Sequence, residues 1–363
     1  MHGWGRHQAL LSGWNVTDVV VSGAGVINGR GSSLDSRLNS SWASRFTAYK
    51  ACEHEPDGCA GASEAQILQF GRPRVWEPMF SQSVALLDVH IVEQAFWAVH
   101  PYACDDVHIA GINITAPRDE GIPNDDGIDP DSSSNVLVEQ CWVSVGDNSV
   151  AIKSGMNWAG RQLHRASFNH VWRDSVFASE TFAIGSEMSG GVFNITVDNC
   201  VFGTDGSDFA GFHIKAPRPR GGSVHAIRVI NSVFHLESST KQQMPISVSM
   251  FYGSLCELCV ATHRCLMLVG RGSSAKTNTS DTPRVYDVQF RNLTMFLPSA
   301  DATRRQSTPT FQFLGLHDSP LSDFRFEDIK VVSGHFAGWQ CVNTSRFSFE
   351  RVDPAPEPGS GCI

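Results

Sequence analysis

Short runs of β-branched and aromatic residues recur along this chain at intervals near 30 residues, and no other feature restricts the fold as tightly. They fall at residues 19–21 (VVV), 107–109 (VHI), 136–138 (VLV), 195–197 (ITV), 227–229 (IRV), 288–290 (VQF) and 324–326 (FRF). Val136 follows Val107 by 29 residues, and Ile227 follows Ile195 by 32. Several runs begin after Asn or Asp and end in a polar residue plus Cys or Ser, as in Asn135-VLVEQ-Cys141 and Asn194-ITVDN-Cys200. A unit this short cannot bury its apolar face alone, so its repetition implies neighbours stacked into a solenoid. Strands this brief, separated by Gly/Asn/Asp turns without intervening amphipathic helices, point to an all-β, right-handed parallel β-helix. A propeller is the alternative, but its blades need longer strands and Asn-Gly hairpins, which are scarce here. Cys141 and Cys200 are expected to stack inward as structural residues.

The pattern spans most of the 363 residues and predicts a single domain over 1–363. A hydrophobic content of 41% suffices for a continuous core. Residues 32–73, 156–165 and 270–283 interrupt the rhythm and read as long turns, which in such scaffolds wall a cleft. Residues 354–363 read as a tail pinned by Cys362. The opening MHGWGRHQALLSGW lacks the apolar run of a signal peptide, and the expectation is that the first coils and a leader are missing from the sequence.

Ten cysteines and seven N-x-S/T sequons, at Asn15, Asn39, Asn113, Asn194, Asn278, Asn292 and Asn343, favour a secreted, oxidised, glycosylated protein. Cys256, Cys259 and Cys265 lack the second ligand pair of a zinc site and are expected in a disulfide or as buried thiols. A net charge of −9 argues against nucleic acid as a partner. No apolar run is long enough to span a membrane.

Residues 124–155 carry the chemistry: Asp125 and Asp126 stand about one coil ahead of Asp147. If successive coils stack in register, these acids meet, and paired carboxylates are what acid/base cleavage of a glycosidic bond requires. The competing reading is that Asp126 and Asp147 are turn residues accepting backbone N–H groups.

The motifs RPR (72–74), FWAVHP (96–101), NDDGIDP (124–130), GDNSVAIKSG (146–155), IGSEMSGG (184–191) and HIKAPRPRGG (213–222) occur in one order. Together they resemble the polygalacturonase family, glycoside hydrolase family 28. The resemblance implies a parallel β-helix that hydrolyses α-1,4-galacturonan with inversion, without metal or cofactor, acting as a monomer on a pectic polysaccharide. By the same resemblance Asp147 is the acid and Asp126 the base, with Lys215 against a substrate carboxylate. Asn124 and Asp125 complete the first motif.

Three positions depart from the family pattern: Asn148 replaces an Asp, Ser179 falls where a His is expected, and His213 replaces an Arg. Asn148 can hold water but cannot take its proton. It also removes a negative neighbour that would raise the pKa of Asp147, so Asn148→Asp is expected to raise activity. His213 lacks the bidentate fork of Arg. These losses keep two other readings open: a catalytically impaired pectic-carbohydrate binder, and a rhamnogalacturonan hydrolase. A calcium-dependent lyase is disfavoured, because the motifs supply no calcium cluster with an Arg base. Lys153, Asp129 and Glu187 are read as structural, His164, His170 and His225 as ordinary, and Trp97, Trp158 and Trp172 as packing residues.

Overall fold

In the computed structural model of the protein, residues 8–33, 41, 42, 44, 72–117, 122–206, 210–238, 244–252, 279–299 and 309–363 are described. Most of segments 32–73 and 270–283 lies outside them, as do Cys256, Cys259, Cys265, Asn39 and Asn278. The described strands pair in parallel, each with its equivalent one coil away. The chain therefore winds as a β-helix.

All seven runs found in the sequence fall in one ladder. It reads Val19, Val84, Val107, Val136, His170, Ile195, Ile227, Val288 and Phe324, each beside the next. Two residues along, a second ladder of Leu86, Ile109, Val138, Trp172, Val197, Val229, Phe290 and Phe326 also points inward, and each member is at most 1% exposed. Alternate residues along each strand face opposite sides, so both ladders share one inner face. Residues between them, such as Leu137 and Thr196, point outward.

The opposite inner face is a second parallel sheet. Its core ladder runs Val150, Phe182, Phe212, Ile246, Phe311 and Trp339. Single bridges from Trp76 through Val99 and Ile128 to Val150 continue it toward the N-terminus. The apolar residues of the two faces form one cluster from Val75 to Cys362.

Asn residues turn one corner of the solenoid. Asn135, Asn169 and Asn194 adopt φ of 53°, 57° and 56°, a region that short polar side chains tolerate better than most. Their amides link coil to coil: Asn169 Nδ2 donates to Asn135 Oδ1 at 3.0 Å, and Asn194 Nδ2 donates to Asn169 Oδ1. Cys141 and Cys200 are buried thiols, as expected. They lie two coils apart with Ser175 between them, whose hydroxyl accepts the Cys141 N–H at 3.1 Å.

The turn at 156–165 is not fully irregular. It carries a short helix, Asn157–Leu163, clamped where Arg161 donates to the carbonyl of Arg220 at 2.6 Å and to Asp281 Oδ1 at 2.6 Å. Trp158 on this helix is 68% exposed, so it does not pack as expected, whereas Trp172 is fully buried.

The tail is pinned as the sequence suggested. Cys362 forms a disulfide with Cys341, 21 residues away, and the Trp339 indole N–H donates to the carbonyl of Pro354 at 3.0 Å. Closing a loop of that length removes unfolded-state entropy equivalent to about 3 kcal/mol. The double variant Cys341→Ser/Cys362→Ser is therefore expected to lose about that much stability in denaturant unfolding.

Candidate active site

The acidic residues sit in turns that lead into the second sheet, stacked one coil on the next. The Gly127 N–H donates to the carbonyl of Asn148 (3.0 Å) and the Ile128 N–H to that of Ser149 (3.1 Å). Two motif glycines permit this approach. A Cβ on Gly127 would lie 2.5 Å from the Ser149 carbonyl oxygen, and one on Gly146 would lie 2.9 Å from Asp125 Oδ2. The spacing of about twenty residues between the acid clusters is thus one turn of the solenoid, and it brings the clusters into contact.

Asn148 is the centre of the contact. Its side-chain Nδ2 donates to Asp126 Oδ2 at 3.1 Å and to Asp147 Oδ1 at 3.0 Å, and its Oδ1 accepts from Lys215 Nζ at 2.8 Å. The two facing carboxylate oxygens are therefore no more than about 6 Å apart, against roughly 6.5–9.5 Å between carboxyl groups in inverting and 5–5.5 Å in retaining glycosidases. Asp147 is held further by two backbone N–H groups, that of Asn148 to Oδ1 (2.8 Å) and that of Asn124 to Oδ2 (3.2 Å). Lys215 lies over the Tyr252 ring, 5.1 Å from its centroid.

Burial divides the acids. Asp147 is half-buried, whereas Asp126 is 2% exposed and Asp125 fully buried. Desolvation pushes Asp126 up to about 7; the nearby Asp147 charge adds to this, while Lys153, the Asn148 amide and Lys215 oppose it. Asp125 is pushed up to about 8, first by desolvation and then by Asp126 and Asp147, against the hydrogen bond from the Gly146 N–H. Asp125 Oδ2 accepts that bond at 2.9 Å, so the side chain braces the next turn.

Two expected contacts sit differently from the sequence expectation. Ser179 is fully buried, and its hydroxyl accepts the Val145 N–H at 2.6 Å. It locks two turns together and offers nothing to a ligand; the half-exposed residue at that corner is its neighbour Glu180. His213 lies on the outer face of Gly211–Lys215, but its Nε2 donates to the carbonyl of Met244 at 2.7 Å. Burial, helped by the Lys215 charge, lowers its pKa to about 4, so the ring is neutral where an Arg would be charged.

Lys153 is structural and also electrostatic. Its Nζ lies 3.3 Å from Asp129 Oδ2, 3.4 Å from Glu187 Oε2 and 4.5 Å from the Trp97 ring centroid. Burial works against its charge, but Asp129, Glu187, Asp126 and Asp131 outweigh it and hold the ammonium above its ordinary pKa. Asp129 Oδ1 accepts the Ala151 N–H at 3.0 Å, the turn role expected of it. Arg72 and Gln94, which motif reading did not place in the site, lie directly behind it. Gln94 Nε2 donates to the carbonyl of Asp125 at 2.7 Å, and Arg72 donates to Asn124 Oδ1 at 3.1 Å. Among the described residues no group of His, Cys, Asp and Glu is arranged to hold a metal ion. No described helix is long and apolar enough to cross a membrane.

Several known proteins are similar to this chain. A probable polygalacturonase of Vitis vinifera is 32% identical over 229 residues, which cover 62% of this chain and 40% of that protein. An endo-polygalacturonase of Pectobacterium carotovorum is 26% identical over 227 residues, 62% of this chain and 50% of that one. The chain spans about half the length, or less, of such relatives. Among solved structures, the exopolygalacturonase of Thermotoga maritima superposes with a TM-score of 0.64 at 23% identity, covering 90% of this chain and 67% of that one. The polygalacturonase of Erwinia carotovora gives 0.66 at 20% identity, covering 95% and 76%. These neighbours share the right-handed parallel β-helix, and that is the fold of this chain. The profile of glycosyl hydrolases family 28 matches residues 2–262, and with the stacked Asp126, Asp147 and Asn148 turns already in view, the chain belongs to that family.

Proposed function

We propose that this chain hydrolyses α-1,4-galacturonosyl linkages of polygalacturonan or a related pectic chain, with inversion, as a secreted monomer. The observation that carries the reading is the Asn148 amide lodged between Asp126 and Asp147 with Lys215 on its other side. Asp147, half-buried in the turn before the strand at 150–152, protonates the leaving glycosidic oxygen. Asp126 takes the proton of a water that the Asn148 amide helps to hold. Lys215 supplies the positive charge for a substrate carboxylate. His213, neutral and tied to Met244, contributes shape and no charge. Several relatives are polygalacturonases by name, which supports the substrate class.

The test is the release of new reducing ends from polygalacturonate and from rhamnogalacturonan, with proton NMR of the first product to read its anomeric configuration. The α linkage should give β product; an α product would replace inversion by retention, a distinction worth measuring because the acids approach so closely. A base with its pKa raised to about 7 must lose its proton to act, so activity should rise with pH through that region. Binding without any release would favour the second reading, a pectic-carbohydrate binder. The observation behind it is that an amide stands between the two acids.

Asn148→Asp replaces two donated N–H bonds with a third carboxylate. Asp126 would then hold its proton more tightly, and the profile should move to higher pH by about one unit, with greater activity on its alkaline side. An unmoved profile would mean that the two acids do not sense this side chain during turnover.

A further inference from the structure

Arg72 is fully buried directly behind the acidic turns. Its NH1 donates to the carbonyl of Ala95 at 2.9 Å and to that of Pro123, and its NH2 donates to Asn124 Oδ1 at 3.1 Å. The guanidinium carbon lies 4.7 Å from the centroid of the Phe96 ring. One side chain thus ties the turn at 94–96 to the turn at 123–124. The next two residues are Asp125 and Asp126, and the backbone N–H of Asn124 is one of the groups that fix Asp147.

A buried guanidinium is costly to desolvate, and a Met of similar length would pack beside Phe96 without that penalty. Burial lowers the pKa of Arg72 to about 10, against the opposing attraction of Asp125, Asp126 and Asp147 and with the repulsion of Arg74. The group therefore stays charged at working pH, and the charges it faces are the acids of the site. Arg74 is itself matched, its Nε lying 3.2 Å from Glu77 Oε1. On the far side, Asp126 meets Lys153, Lys215 and the Asn148 amide, with Asp129 as a further negative neighbour of the cluster.

We propose that Arg72 is a positioning residue of the active site: it straps the acid-bearing turn to the preceding coil and adds buried positive charge behind Asp125 and Asp126, on the side opposite Lys153 and Lys215. It touches no substrate and acts through the acids. The proposal rests on the glycosidase reading for its kinetic consequence, but its electrostatic consequence is independent of turnover.

The experiment compares the parent with Arg72→Met and Arg72→Lys in two ways. The first is the pH dependence of thermal unfolding between pH 4.5 and pH 9 or so, which requires no activity. Asp125 and Asp126 both have folded-state pKa values raised above the unfolded ones, so stability falls as pH rises from the unfolded carboxylate range toward their folded values. Without the cation those values rise further, and the decline in Arg72→Met should steepen and extend to higher pH. Arg72→Lys keeps a charge and should follow the parent's pH dependence even if its Tm is lower throughout. The second readout is the rising limb of kcat/KM, expected to move up by about one pH unit in Arg72→Met and to return in Arg72→Lys. A Tm deficit equal at every pH, with an unmoved limb, would overturn the proposal and leave Arg72 a mere strap. If Arg72→Met does not fold, the Lys variant decides: a limb and an unfolding profile displaced from the parent's overturn the proposal, and coincident ones support it. If the parent releases no reducing ends from any pectic chain, the hydrolase reading fails, and the unfolding comparison alone judges the counter-charge.

Discussion

Asp147→Asn should lower kcat/KM on the pectic substrate by about 10²–10⁴-fold, the usual contribution of a positioned general acid. The substitution keeps size and shape, so the loss reads chemistry first. Asp147 accepts the N–H of Asn124 on one oxygen and both N–H groups of Asn148 on the other. An amide can accept on one side only, and its own N–H₂ would face a donor on the other. A modest local rearrangement is therefore expected beside the lost proton. Asp147 is half-buried and lies outside the apolar cluster, so unfolding temperature should change little. Reducing-end release with matched thermal unfolding and oligogalacturonide binding separates the effects. Binding and folding retained with activity gone is the expected result. Activity within a few-fold of the parent would remove Asp147 from the acid role.

The fold was legible where the inward positions carry β-branched or Phe residues, because those side chains repeat at period two and mark one face. Two strands of the same ladder carry no such signal, for physical reasons. In Ser167–Arg173 the inward positions are His170 and Trp172, so no apolar run appears, and the interval from Val136 to Ile195 looks like a gap although it contains a full coil. In Gln82–Leu87 the segment VALL reads as readily helical as extended, and only its neighbours make it a strand. The second sheet was harder still. Most of its strands, such as Thr181–Gly185 and Phe311–Leu314, are buried on both sides and show no alternation.

The site divides in the same manner. Asp126, Asp147, Asn148 and Lys215 come together as the motifs implied, because stacked turns convert a one-coil spacing into contact. Ser179 was misplaced by its neighbourhood: nothing in Ala178-Ser179-Glu180 tells which residue the corner turns inward, and the hydroxyl that can accept the Val145 N–H is the one buried. Arg72 and Gln94 lie tens of residues ahead of the acids, and only the winding of the coils brings them behind the site. The surviving signal was the Arg of RPR, a charged residue beside a strand start with no surface role evident from its position.

Asp125→Asn should stabilise the protein increasingly as pH rises. Asp125 is fully buried, and its pKa stands at about 8 against an ordinary value of 3.8, chiefly through desolvation. Below the ordinary value the carboxyl is neutral in both folded and unfolded chains, and it contributes no pH-dependent difference. Between the two values the unfolded chain releases the proton while the folded chain keeps it. Unfolding then becomes more favourable with each unit of pH, reaching about 5 kcal/mol near pH 8. An Asn does not titrate, so the variant escapes that loss. Its amide oxygen can keep the bond from the Gly146 N–H. Among the described residues Asp125 Oδ1 has no hydrogen-bond partner, so the new N–H₂ group enters a place without an acceptor, a penalty of about 1–3 kcal/mol that is the same at every pH. Denaturant unfolding at pH 4.5, 6 and 8 or so therefore reads the slope rather than the offset. The variant should be equal to or slightly weaker than the parent in acid and several kcal/mol stronger at pH 8. Parallel stability curves would show that Asp125 is ionised in the folded chain throughout, and that Arg72 and the Gly146 N–H together outweigh its burial.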